Sequence, residues 1–357
     1  MSDDMRQMLL DTLQPVLTDH CTAERVQAAE AGGFDATLWQ VLDELGYPLA
    51  AVPEDAGGIG LDLADLCALL RLCGQHCAPV PLAESQLAAW LLTRAGLDLP
   101  GGPLTVAVAT APDTLQSGAA GLRLTAELPR VASARHAAGL ALLAEHAGAR
   151  YVALLTTDEL GIEPGDNLAG EARDDVRIDG TVPPARYRRL EQGPDAAEFE
   201  ARQALLRAAL ISGALQRVLQ QSLDYARERR QFGRPLAAFQ AIQQQLAILA
   251  AEVVAAAAAV DHAAVLAERG PAPDAIAVAK VRSGKAAGIA CRIAHQVHGA
   301  MGFTQEYSLQ HATRRLWAWR DEAGSEAVWA QRLGQRLATA GADALWPLTT
   351  TSGAMAN

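Results

Sequence analysis

The stretch Tyr225–Gln243, YARERRQFGRPLAAFQAIQ, decides the fold. It closes one strongly helical run and opens another. Arg227, Arg229, Arg230 and Arg234 crowd the end of the first run, and Gly233 and Pro235 break it. Cations near a helix C-terminus complement its dipole, and a Gly-x-Pro step stops a helix. The same arginines also offer forked donors for a phosphate or pyrophosphate, with Phe232 and Phe239 placed to cover a ring system.

On either side of the break the pattern is helical. Upstream, apolar residues recur at Leu205, Leu206, Ala209, Leu210, Gly213, Leu215 and Leu219. Downstream lies IQQQLAILAAEVVAAAAAVDHAAVLAE, whose alanines allow close helix approach as in a bundle. RGPAPDA then connects to a third helix, AIAVAKVRSGKAAGIACRIAHQVHG, and a last one follows EAGSE.

Further upstream the period changes. LTVAVAT, GLRLTAEL, AGLALLAE and YVALLTT alternate with turn residues and read as strands of a small β domain. EPGDNLAGEARDDVRIDGTVPPA reads as turns that end it. Residues before about 98 are helical again: LWQVLDELGY stops at Gly46, and LADLCALLRLCGQHCA halts before Pro79 and Pro81, with Asp62 as its expected cap. The expected division is a helical domain at 1–98, a β domain at 99–192 and a helical bundle at 193–357. This is an α+β class, with no G-x-G-x-x-G after a strand.

The 357 residues are half apolar but only 4% aromatic, which favours helices packed through small side chains. A net charge of −11 repels nucleic acid and anionic membranes, so neither is expected as a partner. Five cysteines without a C-x-x-C pair read as free thiols in a reducing compartment, with no metal site. MSDDMRQMLL has neither a basic leader nor a long apolar run, so a soluble cytoplasmic protein is expected.

A second constellation, HQVHGAMGFTQEY, lets backbone approach a ligand closely through its Gly-Ala-Met-Gly step. His295 and His298 lack the spacing of a zinc protease and read as structural. Taken in order, RERRQFGRPLAAFQ, QVHGAMGFTQEYSL and the upstream LWQVLDELGYPLAAVPEDAGGIG resemble the signatures of the acyl-CoA dehydrogenase flavoprotein family. The resemblance implies an N-terminal helical domain, a middle β domain and a C-terminal four-helix bundle. It also implies FAD-dependent α,β-desaturation of an acyl-CoA thioester, with FAD between a β domain and the bundle of a neighbouring subunit. On this resemblance Arg229 matches the arginine at the FAD pyrophosphate and Phe232 the phenylalanine beside it. Gln240 and Gln296 match glutamines at the ADP portion, and Gly299 and Ala300 take the place of a Gly-Gly pair. A homo- or hetero-oligomer, dimer or tetramer, is implied, with electron-transfer flavoprotein as the acceptor.

The family's base is a glutamate near the C-terminus, before Gly-Thr. In RDEAGSE (Arg320–Glu326) one register places it on Ala323, with Gly324-Ser325 as the Gly-Thr pair; the other places it on Glu322. Glu322 is the candidate base, and Ser325 a candidate cofactor contact. An Arg320–Asp321 pair would leave Glu322 free. In another branch the base lies on the first bundle helix, where Gln203 stands here, followed by Ala204 in place of an arginine; Arg207 lies out of register. The family's Thr-Glu…Gly-Ser-Asp segment, which lines the flavin ring, is not found. These gaps leave two further readings: a subunit of a heteromeric dehydrogenase, resembling those used on steroid side chains and other bulky CoA thioesters, and a non-catalytic scaffold.

Overall fold

In the computed structural model, which describes residues 3–346, the period-two segments form two sheets facing each other across one core. The first sheet has the order β1 (Leu104–Ala109), β4 (Gly139–His146), β5 (Ala149–Thr156), β8 (Tyr187–Leu190). β1 and β4 are parallel; the other pairs are antiparallel. The second is antiparallel, in the order β2 (Thr114–Gly118), β3 (Gly121–Ala132), β7 (Arg173–Val182), β6 (Leu160–Glu163). Leu122, Leu124, Ala126 and Leu128 of β3 meet Leu140, Leu142 and Ala144 of β4 in that core, while Arg123 and Glu127 point to solvent.

β7 corrects the sequence reading, which took this stretch as turns. Val176 and Ile178 are buried while Asp175, Arg177 and Asp179 are exposed, so the alternation is present under a charged outer face.

Helix α5 (Leu82–Arg94) is buried along most of its length and packs on β1, β4 and β5. Two of its buried polar side chains are tied to the backbone: Ser85 Oγ donates to the Leu104 carbonyl and accepts from the Leu104 amide, both at 3.0 Å. Gln86 accepts from the Ala51 amide at 3.2 Å and donates to the Tyr47 carbonyl. The same unit holds α2 (Ala23–Glu30) and α3 (Ala36–Glu44), whose Asp35 cap accepts from the Leu38 amide at 2.9 Å.

The second compact unit gathers α1 (Asp3–His20), α4 (Leu63–His76) and the chain from Ala201 on. Its long helices are α6 (Ala196–Glu228), α7 (Gln240–Arg269) and α8 (Pro273–His298), followed by α9 (Leu309–Trp319) and α10 (Glu326–Ala340). α7 is long and apolar enough to cross a membrane, but its Leu246, Leu249, Val253, Ala256 and Val260 are buried at helical spacing in the bundle. α4 and α6 meet backbone to backbone. A Cβ added at Gly213 would lie 1.8 Å from the Arg71 carbonyl oxygen, and one at Gly74 would lie 2.1 Å from that of Leu210. Small residues thus set this helix separation, as the alanine-rich composition implies.

The helical, β and helical order and the α+β class match the expectation from sequence. The helices before residue 98 divide between the two units.

Candidate active site

The turn between α9 and α10 is held by side chains from three helices. Its backbone runs through two left-handed residues, Ala323 at φ +53° and Gly324 at φ +84°. The carbonyls at the end of α9 have no partners inside the helix. Lys280 of α8, with no exposed surface, partners one of them and one in the turn: its Nζ donates to the Arg320 carbonyl at 2.8 Å and to the Gly324 carbonyl at 2.7 Å. Trp329 Nε1 of α10 donates to the Ala323 carbonyl at 2.8 Å. Ser325 caps α10 by accepting from the Val328 amide, so its hydroxyl is engaged locally.

Within this frame Glu322 Oε2 lies 3.2 Å from Arg207 Nη2, the carboxylate 17% and the guanidinium 8% exposed. Arg207 comes from α6, and its guanidinium carbon sits 5.7 Å from the Trp319 ring centroid. Arg207 lies three residues beyond Ala204, where the sequence register placed an arginine, about one helical turn on. Arg320 pairs with Glu326 rather than with Asp321, which corrects the expected pairing. Glu322 is not left free but faces Arg207. Ala323, the rival occupant of the base position, offers only a methyl group.

Burial pushes Lys280 down to about 7, reinforced by Arg207 and opposed by Glu322 and Asp321. A neutral amine still has two N–H donors for its two carbonyls. Sequence reasoning missed Lys280, although it shares a face of α8 with the buried Ile276, Ser283, Gly284 and Ala287.

The other site residues collect at one end of the bundle. α6 runs into a small hairpin, β9 (Arg230–Gln231) with β10 (Arg234–Pro235), turning through Phe232 at φ +50° and Gly233 at φ +80°. Phe232 is 93% exposed, and Phe239 behind it carries the Arg234 guanidinium 4.0 Å from its ring centroid. Tyr225 in the last turn of α6 stacks on His298 at the end of α8, ring centroids 4.4 Å apart. This contact brings Arg229, just past Tyr225, to the same end as Gln296, Gly299 and Ala300, and Gln240 opens α7 directly after the hairpin. All six (Arg229, Phe232, Gln240, Gln296, Gly299, Ala300) are exposed, and among the described residues the Arg229, Gln240 and Gln296 side chains make no hydrogen bond or ion pair. His298 is buried, its Nδ1 2.8 Å from the Ala294 carbonyl, and burial lowers its proton affinity.

Glu322 and Ser325 belong elsewhere. Lys280, which anchors their turn, lies about 27 Å along α8 from His298, at 1.5 Å per residue. One group is a free set of planar donors on small-residue backbone, suited to a diphosphate. The other is a carboxylate in a fixed turn, suited to proton transfer.

The β domain offers little to hold a ring. Its strand connections are short, and the longest, between β6 and β7, is folded on itself through Asn167, whose Oδ1 accepts from the Ala169 and Glu171 amides at 2.9 and 3.1 Å.

Residues 3–98 match the sequence model of the acyl-CoA dehydrogenase N-terminal domain, and residues 198–338 that of the C-terminal domain. The chain is 28% identical over 314 residues to acyl-CoA dehydrogenase IpdE2 of Mycobacterium tuberculosis, covering 85% of this chain and 88% of that one. It is 32% identical over 270 residues to acyl-CoA dehydrogenase FadE27 of the same organism, covering 67% and 68%. The solved ChsE4-ChsE5 complex from M. tuberculosis superposes with a TM-score of 0.87 at 25% identity, over 96% of this chain and 99% of that one.

Proposed function

Because the chain belongs to the acyl-CoA dehydrogenase family, we propose that it desaturates an acyl-CoA thioester at Cα–Cβ with FAD, using Glu322 as the base. The carrying observation is the Glu322–Arg207 contact inside a turn anchored from α8 and α10. The Arg207 guanidinium holds the Glu322 carboxylate in place at 3.2 Å in the resting site, and Glu322 takes the Cα proton as the pair loosens around bound substrate. FAD, when bound, supplies the acceptor for the hydride that leaves Cβ.

Arg229, Gln240 and Gln296 would hold the diphosphate and ADP portions of FAD, with Phe232, Gly299 and Ala300 lining the approach. Ser325, beside the base, is proposed as a flavin contact through its backbone, since its hydroxyl caps α10. The distance between the donor set and Glu322 supports donors that serve a neighbouring subunit's FAD, and hence an oligomer. We take the protein as soluble and cytoplasmic, with electron-transfer flavoprotein as acceptor.

A second reading is favoured by the short β-domain connections. The β6–β7 connection, the longest of them, is folded on itself through Asn167, and the sequence has no counterpart of the family's Thr-Glu…Gly-Ser-Asp segment. On that reading the chain is one subunit of a heteromeric dehydrogenase acting on a bulky CoA thioester, lending its donors to a partner's FAD. The test is to purify the chain alone and co-expressed with a second family member, then add butyryl-, octanoyl- or palmitoyl-CoA without oxygen. Flavin in the lone chain that bleaches with acyl-CoA supports the first reading. Flavin only in the co-expressed pair supports the second, and no flavin in either sinks both.

A further inference from the structure

We propose that Lys280 is a positioning residue, which bridges the Arg320 and Gly324 carbonyls and so fixes the direction in which Glu322 leaves the turn. This rests on the reading of Glu322 as base. The two carbonyls flank Glu322, and both accept from one Nζ, at 2.8 and 2.7 Å. Lys280 itself has no exposed surface.

The rest of the same helix face is cleared for this segment. A Cβ at Gly284 would lie 2.8 Å from Glu326 Oε2, and one at Gly288 would lie 3.2 Å from Arg320 Nη1. The Arg320–Glu326 pair therefore lies on a bed of two glycines, one and two helical turns beyond Lys280. Lysine and glycines together clamp the segment at both ends. The left-handed Ala323 is held meanwhile by Trp329. A one-residue change in this path would carry the carboxylate away from Arg207. A lysine that only capped α9 would need one carbonyl and no cleared bed.

Lys280→Met and Lys280→Arg are compared with the wild-type holoenzyme, with its partner subunit if one is required. Two readouts are taken: amide hydrogen exchange at 321–325 and flavin bleaching by butyryl-, octanoyl- and palmitoyl-CoA. The proposal expects Lys280→Met to exchange at least ten-fold faster at 321–325 with α8 unchanged. Bleaching should slow at least ten-fold at unchanged acyl-CoA affinity, and Lys280→Arg should recover part of both. Should Lys280→Met not fold, Trp329→Phe loosens the same turn from its other side and should slow bleaching in the same way. Wild-type exchange at 321–325 in Lys280→Met overturns the proposal whether or not any of the three thioesters reacts. Normal bleaching with faster exchange also overturns it, leaving a structural cap. Glu322→Gln separates the premises: if that variant bleaches normally the base reading fails, and the positioning role fails with it. If it alone is inactive, the base stands and only Lys280 is wrongly assigned.

Discussion

Arg207 on α6 and Glu322 in the turn after α9 meet at 3.2 Å, both largely shielded from water. Removing one partner takes this contact from a charge that is largely shielded from water. Arg207→Met should therefore lower unfolding stability by about 3–5 kcal/mol. The double variant Arg207→Met/Glu322→Gln should recover part of that loss. Urea unfolding midpoints check both, and additive losses would show that the two side chains do not interact.

Lys280 sets a pH dependence. Burial holds it near about 7, whereas an unfolded lysine titrates at about 10.4. Between those values the unfolded chain holds a proton that the native chain lacks, so this group makes stability rise with pH. Below about 7 both states are protonated and the slope vanishes. Lys280→Met removes the amine and leaves its neighbours in place, so the difference between the two proteins isolates the slope that belongs to Lys280. Chemical unfolding from pH 6 to 10 should show wild type gaining on Lys280→Met by at most about 1.4 kcal/mol per pH unit. Parallel curves would contradict it.

The α4–α6 contact leaves no room for a methyl. Gly213→Ala would press on the Arg71 carbonyl and Gly74→Ala on that of Leu210, both backbone atoms. Each should cost about 1–3 kcal/mol or more as the helices part. Gly334→Ala, on open α10 surface, should be neutral or mildly stabilising. Thermal melts of the three variants provide the comparison.

Among the described residues the Arg229 side chain makes no hydrogen bond or ion pair, so its loss should leave the fold intact. Arg229→Gln should keep the wild-type melting temperature while FAD affinity falls about 10–100-fold, as expected for lost charge-assisted hydrogen bonds. Equilibrium dialysis against FAD, on whichever assembly binds it, measures this. A changed melt with unchanged FAD affinity would return Arg229 to a helix-end role.

Much of this architecture is legible in residue order. The break at Gly233–Pro235 marks the α6–α7 hairpin, and the inward alternation of β3 and the apolar run of β4 announce their strands. β7 escapes because Asp175, Arg177 and Asp179 give its outer face the composition of a turn. The donor set at Arg229, Gln240 and Gln296 follows from its motifs, since each sits next to a helix end that sequence marks. The proposed proton-transfer site follows from sequence only in Glu322. It depends on Arg207, Lys280 and Glu322 arriving from α6, α8 and the α9–α10 turn, and no local pattern encodes a contact between distant helices. Lys280 carries the one available signal, a charge in phase with buried alanines and glycines.

The central claim is that Glu322 removes the Cα proton. Its most direct measurement is the anaerobic bleaching of flavin by acyl-CoA in Glu322→Gln beside wild type, with FAD content determined on both. The account predicts full FAD occupancy and a bleaching rate at least a thousand-fold lower, roughly 4 kcal/mol of lost transition-state stabilisation. Bleaching at the wild-type rate in Glu322→Gln would contradict it and move the base to another residue or another subunit.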